Sequence, residues 1–303
     1  MGSFNSKGDY YPRTLIGPRE WNDKRVKLGF AACVGLATIL AILAVLPFGW
    51  MLITSVRPAG EIFLFPAKLW PSDFHLSTYS EALKRVPFAR YLFNSLFTCL
   101  SAVFLQLLLS ACAAYALARL KPRFGRAILL LVVATLMIPF ESLVIPLYIQ
   151  MRNFPLGAGP GVNLLNSYWV LILPAVVSSF NIFVLKGFFD RLPEEVIFTA
   201  RLDGCSEWTI FFRFVLPMSR PILTVLGIFG FISVWNGFFW PLVALNDPDI
   251  YTLMLGIQKL LETGEPWNIV MAAVTLTTVP TIILFLFFQR WIMRGMAFSG
   301  LQG

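Results

Sequence analysis

DRLPEEVIFTARLDGCSEWTIFFRFVLPMSRP, residues 190–221, is the one long polar interruption of this chain whose own residues are patterned as helices. Pro193 suits a first helical position, where its missing N–H would lack an intrahelical acceptor anyway, and Glu194 and Glu195 complement the positive end of a helix dipole. A helix is expected to start there. Asp203-Gly204 ends it with a residue able to turn left-handed, and Ser206 can cap a second helix that runs to Leu216 before Pro217 stops it. In that second helix Trp208, Phe211, Phe212 and Val215 recur at spacings of three and four, forming an apolar stripe with Arg213 off it. Such a stripe is buried against something: this chain's own apolar helices, or a groove on a separate cytosolic protein.

The flanks of this stretch identify the solvent. Hydrophobic residues make up 57% of the chain and charged residues 13%, with a mean hydropathy of +0.74, whereas about 25% of a soluble protein is charged. This is the composition of an all-α integral membrane protein. A hydrocarbon core needs about 20 apolar residues per helix, and six uncharged or nearly uncharged runs meet that length. They are 28–56, 91–118, 127 to about 150 (interrupted only by Glu141), a span from about Leu165 to Leu185, 221 to about 245, and 266–289. The fourth is preceded by a Gly/Pro-rich loop at 154–161.

Six spans put both termini on one side. Of the 24 Lys and Arg residues, 17 fall on that side and 7 on the other, so the positive-inside rule makes the tail (1–26), the stretch 190–220 and the C-terminus cytosolic. The loop 57–90 runs against the trend with Arg57, Lys68, Lys84, Arg85 and Arg90, accompanied by Glu61, Asp73 and Glu81. It is expected to contain short surface helices, and 250–261 is expected to reach toward an external partner. The net charge of +8 is scattered through short loops and forms no nucleic-acid-binding face. Cys33, Cys99, Cys112 and Cys205 make no C-x-x-C pair and read as packing residues, and His75 lacks a partner for a metal site. The apolar run after the tail is too long for the core of a cleaved signal peptide.

The stretch 190–221 resembles the cytoplasmic loop of permease subunits of binding-protein-dependent ABC importers. In that family a Glu-Ala-Ala segment, an Asp-Gly three positions after its Glu-Ala pair and an Ile/Val-Leu-Pro close form a coupling helix seated in a cleft of the ATPase. Ala200, Asp203, Gly204, Val215, Leu216 and Pro217 fit the pattern, while Phe198 and Thr199 stand where the usual Glu and first Ala would be. The resemblance extends over about 28–302, through Met137-Ile138-Pro139 to Ile145-Pro146-Leu147, Trp235-Asn236 with Trp240-Pro241, and Phe288-Gln289-Arg290 to Phe298-Ser299-Gly300. It is similar to the maltose-importer permease that lacks a large extra periplasmic domain.

The resemblance implies a type I ABC importer transmembrane domain over 27–303, with core spans at about 88–290 and cytosolic coupling helices. It also implies a bacterial inner-membrane location, a second permease subunit, a cytosolic ABC ATPase dimer that binds ATP and Mg, an extracytoplasmic solute-binding protein and a carbohydrate-like substrate. Ala200, Asp203, Gly204, Trp208, Phe211, Phe212, Leu216 and Pro217 are then the ATPase-coupling residues. The chain itself has no G-x-x-x-x-G-K-[ST] loop, no H-E-x-x-H and no G-x-S-x-G, so no cofactor and no catalysis are expected in it.

Glu141 is the one ionisable residue inside an apolar span, and a charge in hydrocarbon costs about 2.5 to 3.5 kcal/mol, so it is expected to face protein or water. Asn181, Trp235 and Asn236 join it as translocation-pathway candidates, since sugars are held by amide hydrogen bonds and aromatic faces. Helix–helix hydrogen bonding is the commoner role of an intramembrane Asn. Two rival readings stay open here. A secondary transporter would carry coupling-ion carboxylates or broken helices in matched halves, and a membrane scaffold could use the same docking stripe.

Overall fold

The computed structural model describes residues 3–4, 10–11, 23–66, 68–155 and 161–300. The expected Gly/Pro loop falls partly, and the C-terminal Gly303 wholly, outside the described residues. Helix α1, Lys24–Ser55, starts at Asp23, whose carboxylate accepts from the Arg25 N–H at 2.9 Å. Its most apolar stretch is left uncovered by the rest of the chain, and it packs chiefly on the last helix. Helix α2 (Ser77–Arg85) lies in the first loop, as expected of a surface helix, and leads into α3 (Phe88–Tyr115), which continues to Leu120 through one wide turn.

Helices α4 (Gly125–Thr135) and α5 (Phe140–Arg152) form the expected third span, but they are bent by 103°. Pro139 causes the break: it has no N–H to donate, and α5 restarts immediately after it. Helices α6 (Tyr168–Val176) and α7 (Ser179–Asp190) are bent by 40°, with the Ser178 hydroxyl capping α7 by accepting from the Asn181 N–H. Next come α8 (Glu194–Leu202), α9 (Glu207–Ile210) and α10 (Leu216–Met218). A wide-turned segment, Phe211–Val215, makes α9 and α10 one continuous helix, bent by 78° from α11 (Arg220–Asn236). Helices α12 (Phe239–Ala244), α13 (Leu253–Glu262) and α14 (Trp267–Gly300) complete the chain. The only strands among the described residues are the two-residue pair Ser3–Phe4 and Tyr10–Tyr11.

Among the described residues three helices are long and apolar enough to cross a membrane, and three bent pairs raise the possible total to six. The expected fifth span is not one helix: α11 ends at Asn236 and α12 restarts at Phe239. Helix α3 is the axis of the bundle and packs against α6, α7, α11 and α13. Its Ala102, Ala111, Ala114 and Ala118 are buried, because small side chains let helix backbones approach closely where lipid gives no hydrophobic drive to association. Gly256 of α13 shows the same limit, since a Cβ there would lie 2.3 Å from the Tyr91 ring of α3.

This packing also fixes the inner face of 250–261. Leu253, Leu255, Ile257 and Leu260 of α13 are buried, and the helix is held inward by two α3 side chains. Asn94 donates to the Asp249 and Tyr251 carbonyls at 3.0 Å each, and the Ser95 hydroxyl accepts from the Leu253 N–H at 2.7 Å. Four of the five basic residues that ran against the charge rule are compensated locally. Arg57 is buried and donates to the Lys68 and Leu69 carbonyls, Lys68 pairs with Glu61, Arg85 with Glu265 and Arg90 with Asp249.

Candidate functional site

The two helices of 190–221 meet at a corner made by local backbone chemistry. Helix α8 is preceded by Pro193, which flanks the helix in an extended conformation and is not its first helical residue as expected. At the other end Gly204 has φ +77°, its N–H donates to the Arg201 carbonyl at 3.1 Å, and the Cys205 N–H donates to the Ala200 carbonyl at 3.0 Å. That pair of bonds is a Schellman motif, which satisfies the last carbonyls of α8 only when the turning residue is left-handed. The Ser206 hydroxyl then caps α9 by accepting from the Thr209 N–H at 3.3 Å. Pro217 does not stop the second helix; it lies within it, and the chain bends at Ser219.

A polar latch fixes the corner to the bundle. The Tyr115 hydroxyl at the end of α3 donates to Glu207 Oε2 at 2.6 Å, and Arg201 Nε donates to Glu207 Oε1 at 2.8 Å. The Arg201 hydrogen bond, helped by Tyr115, holds the Glu207 carboxyl below the usual carboxylate range. One helix turn away Arg119, with a side chain only 6% exposed, donates to the Phe189 and Leu192 carbonyls at 2.5 and 2.6 Å and pairs with Glu194 at 3.4 Å. It supplies cationic donors to the carbonyls that end α7.

The apolar stripe splits in two. Phe211 and Val215 are buried with Ile210 against Tyr115, Phe189 and Leu226, so they are core residues and not available to a groove on another protein. Ala200 is buried in the same cluster and Leu216 packs against it. Trp208 and Phe212 stay outside, 66% and 50% exposed, with their rings stacked at 6.0 Å. Phe198 and Leu202 of α8 are 62% and 72% exposed, and Asp203 is exposed at the corner. The exposed apolar residues are therefore Phe198 and Leu202 on the first helix and Trp208 and Phe212 on the second. A cleft of about 350 Å³ between the helices is lined by Glu195, Thr199, Ala200, Asp203 and Phe214.

The pathway candidates separate by environment. Glu141 is exposed in the first turn of α5, just past the 103° bend. Asn236 is exposed at the α11–α12 break, its amide donating to the Ile232 carbonyl at 2.9 Å. Asn181 is 5% exposed and donates to Gln106 Oε1 at 3.2 Å, while Gln106 donates to the Ala175 carbonyl at 2.8 Å. It makes a helix–helix contact, the commoner role of an intramembrane Asn. Trp235 is buried and stacked on Phe231 at 5.5 Å, with its indole N–H unpartnered. No hydrogen bond joins any two of these four residues. Tyr115, Arg119, Arg201 and Glu207 were missed from the sequence; the one signal for Glu207 was an acid in the first turn of a capped helix.

The family described as binding-protein-dependent transport system inner membrane component matches residues 106–298. The arabinooligosaccharides transport system permease protein AraQ of Halalkalibacterium halodurans is 34% identical over 283 residues, covering 91% of this chain and 97% of that protein. The sulfoquinovosyl glycerol transport system permease protein SmoH of Agrobacterium fabrum is 34% identical over 272 residues, covering 88% and 92%. Among solved structures, a chain of a bacterial ABC transporter involved in import of the acidic polysaccharide alginate superposes with a TM-score of 0.76 at 21% identity, covering 88% of this chain and 98% of that one. The likeness in fold and the matches in sequence agree: the chain belongs to the binding-protein-dependent transport system inner membrane components, the permease subunits of ABC importers.

Proposed function

We propose that this permease subunit carries a carbohydrate or glycosylated polyol across a bacterial inner membrane through six spans, with both termini cytosolic. It works beside a second permease and an external solute-binding protein, and a separate ATPase dimer binds ATP and Mg. Relatives named for arabinooligosaccharides and sulfoquinovosyl glycerol support the substrate class. Neither secondary transport nor a scaffold role draws support from the family or the fold.

One observation supports the coupling role: an exposed apolar face on two helices whose corner is locked by Gly204 and latched by Glu207. Phe198, Leu202, Trp208 and Phe212 dock in an apolar groove of the ATPase. Phe198 replaces the family's glutamate, so this groove presents apolar atoms where a relative's groove would present a cation. Truncating a well-buried aromatic anchor costs about 2 kcal/mol or more, roughly thirtyfold in affinity. Trp208→Ala is therefore expected to lose the ATPase on purification and to blunt binding-protein-stimulated ATP hydrolysis, and Phe198→Glu to weaken retention as well. Full retention and stimulation in both variants would remove the docking assignment.

A further inference from the structure

A second cavity, of about 610 Å³, lies between the α3–α4 turn and α7. Its lining joins two chemistries. Lys121, Arg123 and Arg126 contribute cations from one short turn, and Lys186 contributes a fourth from α7. Lys186 is paired with Asp190 at 2.6 Å, the one carboxylate in the lining, whereas the three cations of the turn have no acidic partner among the described residues. The remaining wall is apolar, with Leu117 from the end of α3 and Phe124 and Leu129 from the start of α4.

Backbone hydrogen bonds at both ends of the turn hold these charges together. Lys121 takes a left-handed conformation with φ +48°, its N–H donates to the Ala116 carbonyl at 3.1 Å, and the Gly125 N–H closes the turn on the Pro122 carbonyl at 2.8 Å. A non-glycine residue in that region is held there by its surroundings. The first turn of α4 contains no acidic residue to offset the cations or the positive end of the helix dipole. Just beyond the cavity Ile128, Leu130 and Leu131 are exposed, so its apolar wall runs on into the lipid-facing surface of α4.

We propose that this cavity binds an acidic phospholipid, with the phosphate headgroup held by Lys121, Arg123 and Arg126 and the upper acyl chain against Leu117 and Leu129. A soluble phosphate would satisfy the cations but leave the apolar wall wet; a phospholipid matches both. Basic pockets between membrane helices on the cytosolic side are a known setting for anionic headgroups. The inference rests on the membrane placement proposed above for the choice of leaflet, but its readout does not depend on transport.

The test is native mass spectrometry of the full chain, purified with its partner subunits and offered phosphatidylglycerol and phosphatidylcholine with identical acyl chains. Wild type is expected to retain phosphatidylglycerol about tenfold over phosphatidylcholine or better, since each basic side chain near an acidic surface adds roughly fivefold. The variant Lys121→Gln/Arg123→Gln/Arg126→Gln should fall to within about twofold of no preference, while Lys24→Gln/Lys27→Gln, which neutralises the cations flanking α1, should keep the wild-type ratio. Equal retention of the two lipids by wild type overturns the proposal without recourse to any variant, as does an unchanged ratio in the triple variant. Displacement of phosphatidylglycerol by excess inorganic phosphate would assign the cavity to a soluble anion and overturn it equally. Loss of transport with lipid preference intact would count against the transport reading and leave the lipid site standing.

Discussion

Gly204 isolates the contribution of one backbone conformation to the docking corner. A Cβ at this position would meet nothing within 4 Å, so any cost of substitution comes from φ +77° and not from a clash. The left-handed region costs an ordinary L-residue about 1 to 2 kcal/mol, more for a β-branched one and less for Asn, whose short side chain tolerates it. Gly204→Asn, Gly204→Ala and Gly204→Val should therefore form a graded series, with Asn near wild type and Val worst. If Gly204→Val abandons the left-handed turn, the bonds from the Gly204 and Cys205 N–H groups to the Arg201 and Ala200 carbonyls break together, and the helix beginning at Glu207 swings off its latch. The assay is ATPase co-purification and binding-protein-stimulated hydrolysis, measured on variants that insert and purify as wild type does. A Gly204→Asn variant as impaired as Gly204→Val would refute the conformational reasoning, and so would full activity in Gly204→Val.

The Glu207 carboxyl is held low by Arg201 and Tyr115, so its stabilisation of the corner is fully present above the unfolded carboxylate pKa of about 4.3 and is lost as pH falls through the lower folded value. Glu207→Gln should remove that acid-side dependence of ATPase retention at a cost of about 1 kcal/mol, a value kept small because the side chain is 41% exposed; an unchanged acid profile would contradict it. Asn181→Leu leaves Gln106 Oε1 without its donor and should lower the thermal stability of the purified protein by about 1 to 3 kcal/mol, whereas exposed Glu141→Leu should change uptake without changing stability; the reverse pattern would exchange their roles. In a cysteine-free background, Asp203→Cys should react with a membrane-impermeant thiol reagent only after permeabilisation, and labelling of intact cells would invert the proposed topology.

Features set by neighbours in sequence were legible from the residues alone. The Gly204 corner and the Ser206 cap each depend on a few consecutive side chains, and each is present; of the six expected spans, three are single helices long and apolar enough to cross a membrane. What escaped was set by distant partners. Tyr115 and Glu207 are 92 residues apart, and Asn181 and Gln106 are 75 apart, so no spacing rule joins them. Hydropathy records the length of the run around Glu141 but not its 103° bend, although Pro139 marked the place. The aromatic stripe was real, yet helical spacing cannot say which of its two adjoining rows meets the chain's own core. That is decided by α3 and α7, which cover Phe211 and Val215 and leave Trp208 and Phe212 outside.

This division of the stripe gives the docking face its mechanical character. Its outer row is exposed, while the inner row is buried against the ends of α3 and α7 and against Leu226 of α11. Around that packing stand two latches, Tyr115–Glu207–Arg201 on α3 and Arg119 on the end of α7 and the start of α8. A push on Trp208 and Phe212 thus reaches α3 and α7 through close-packed, low-compressibility contacts. Helix α3 passes it to α6, α11 and α13, which pack along its length. The 78° bend at Ser219 is fixed by a buried side chain whose hydroxyl donates to the Val215 carbonyl at 2.7 Å. On the docking proposed above, ATPase movement would reach α3, α7 and α11 together, because Leu226 of α11 lies in the same buried cluster as Phe211 and Val215.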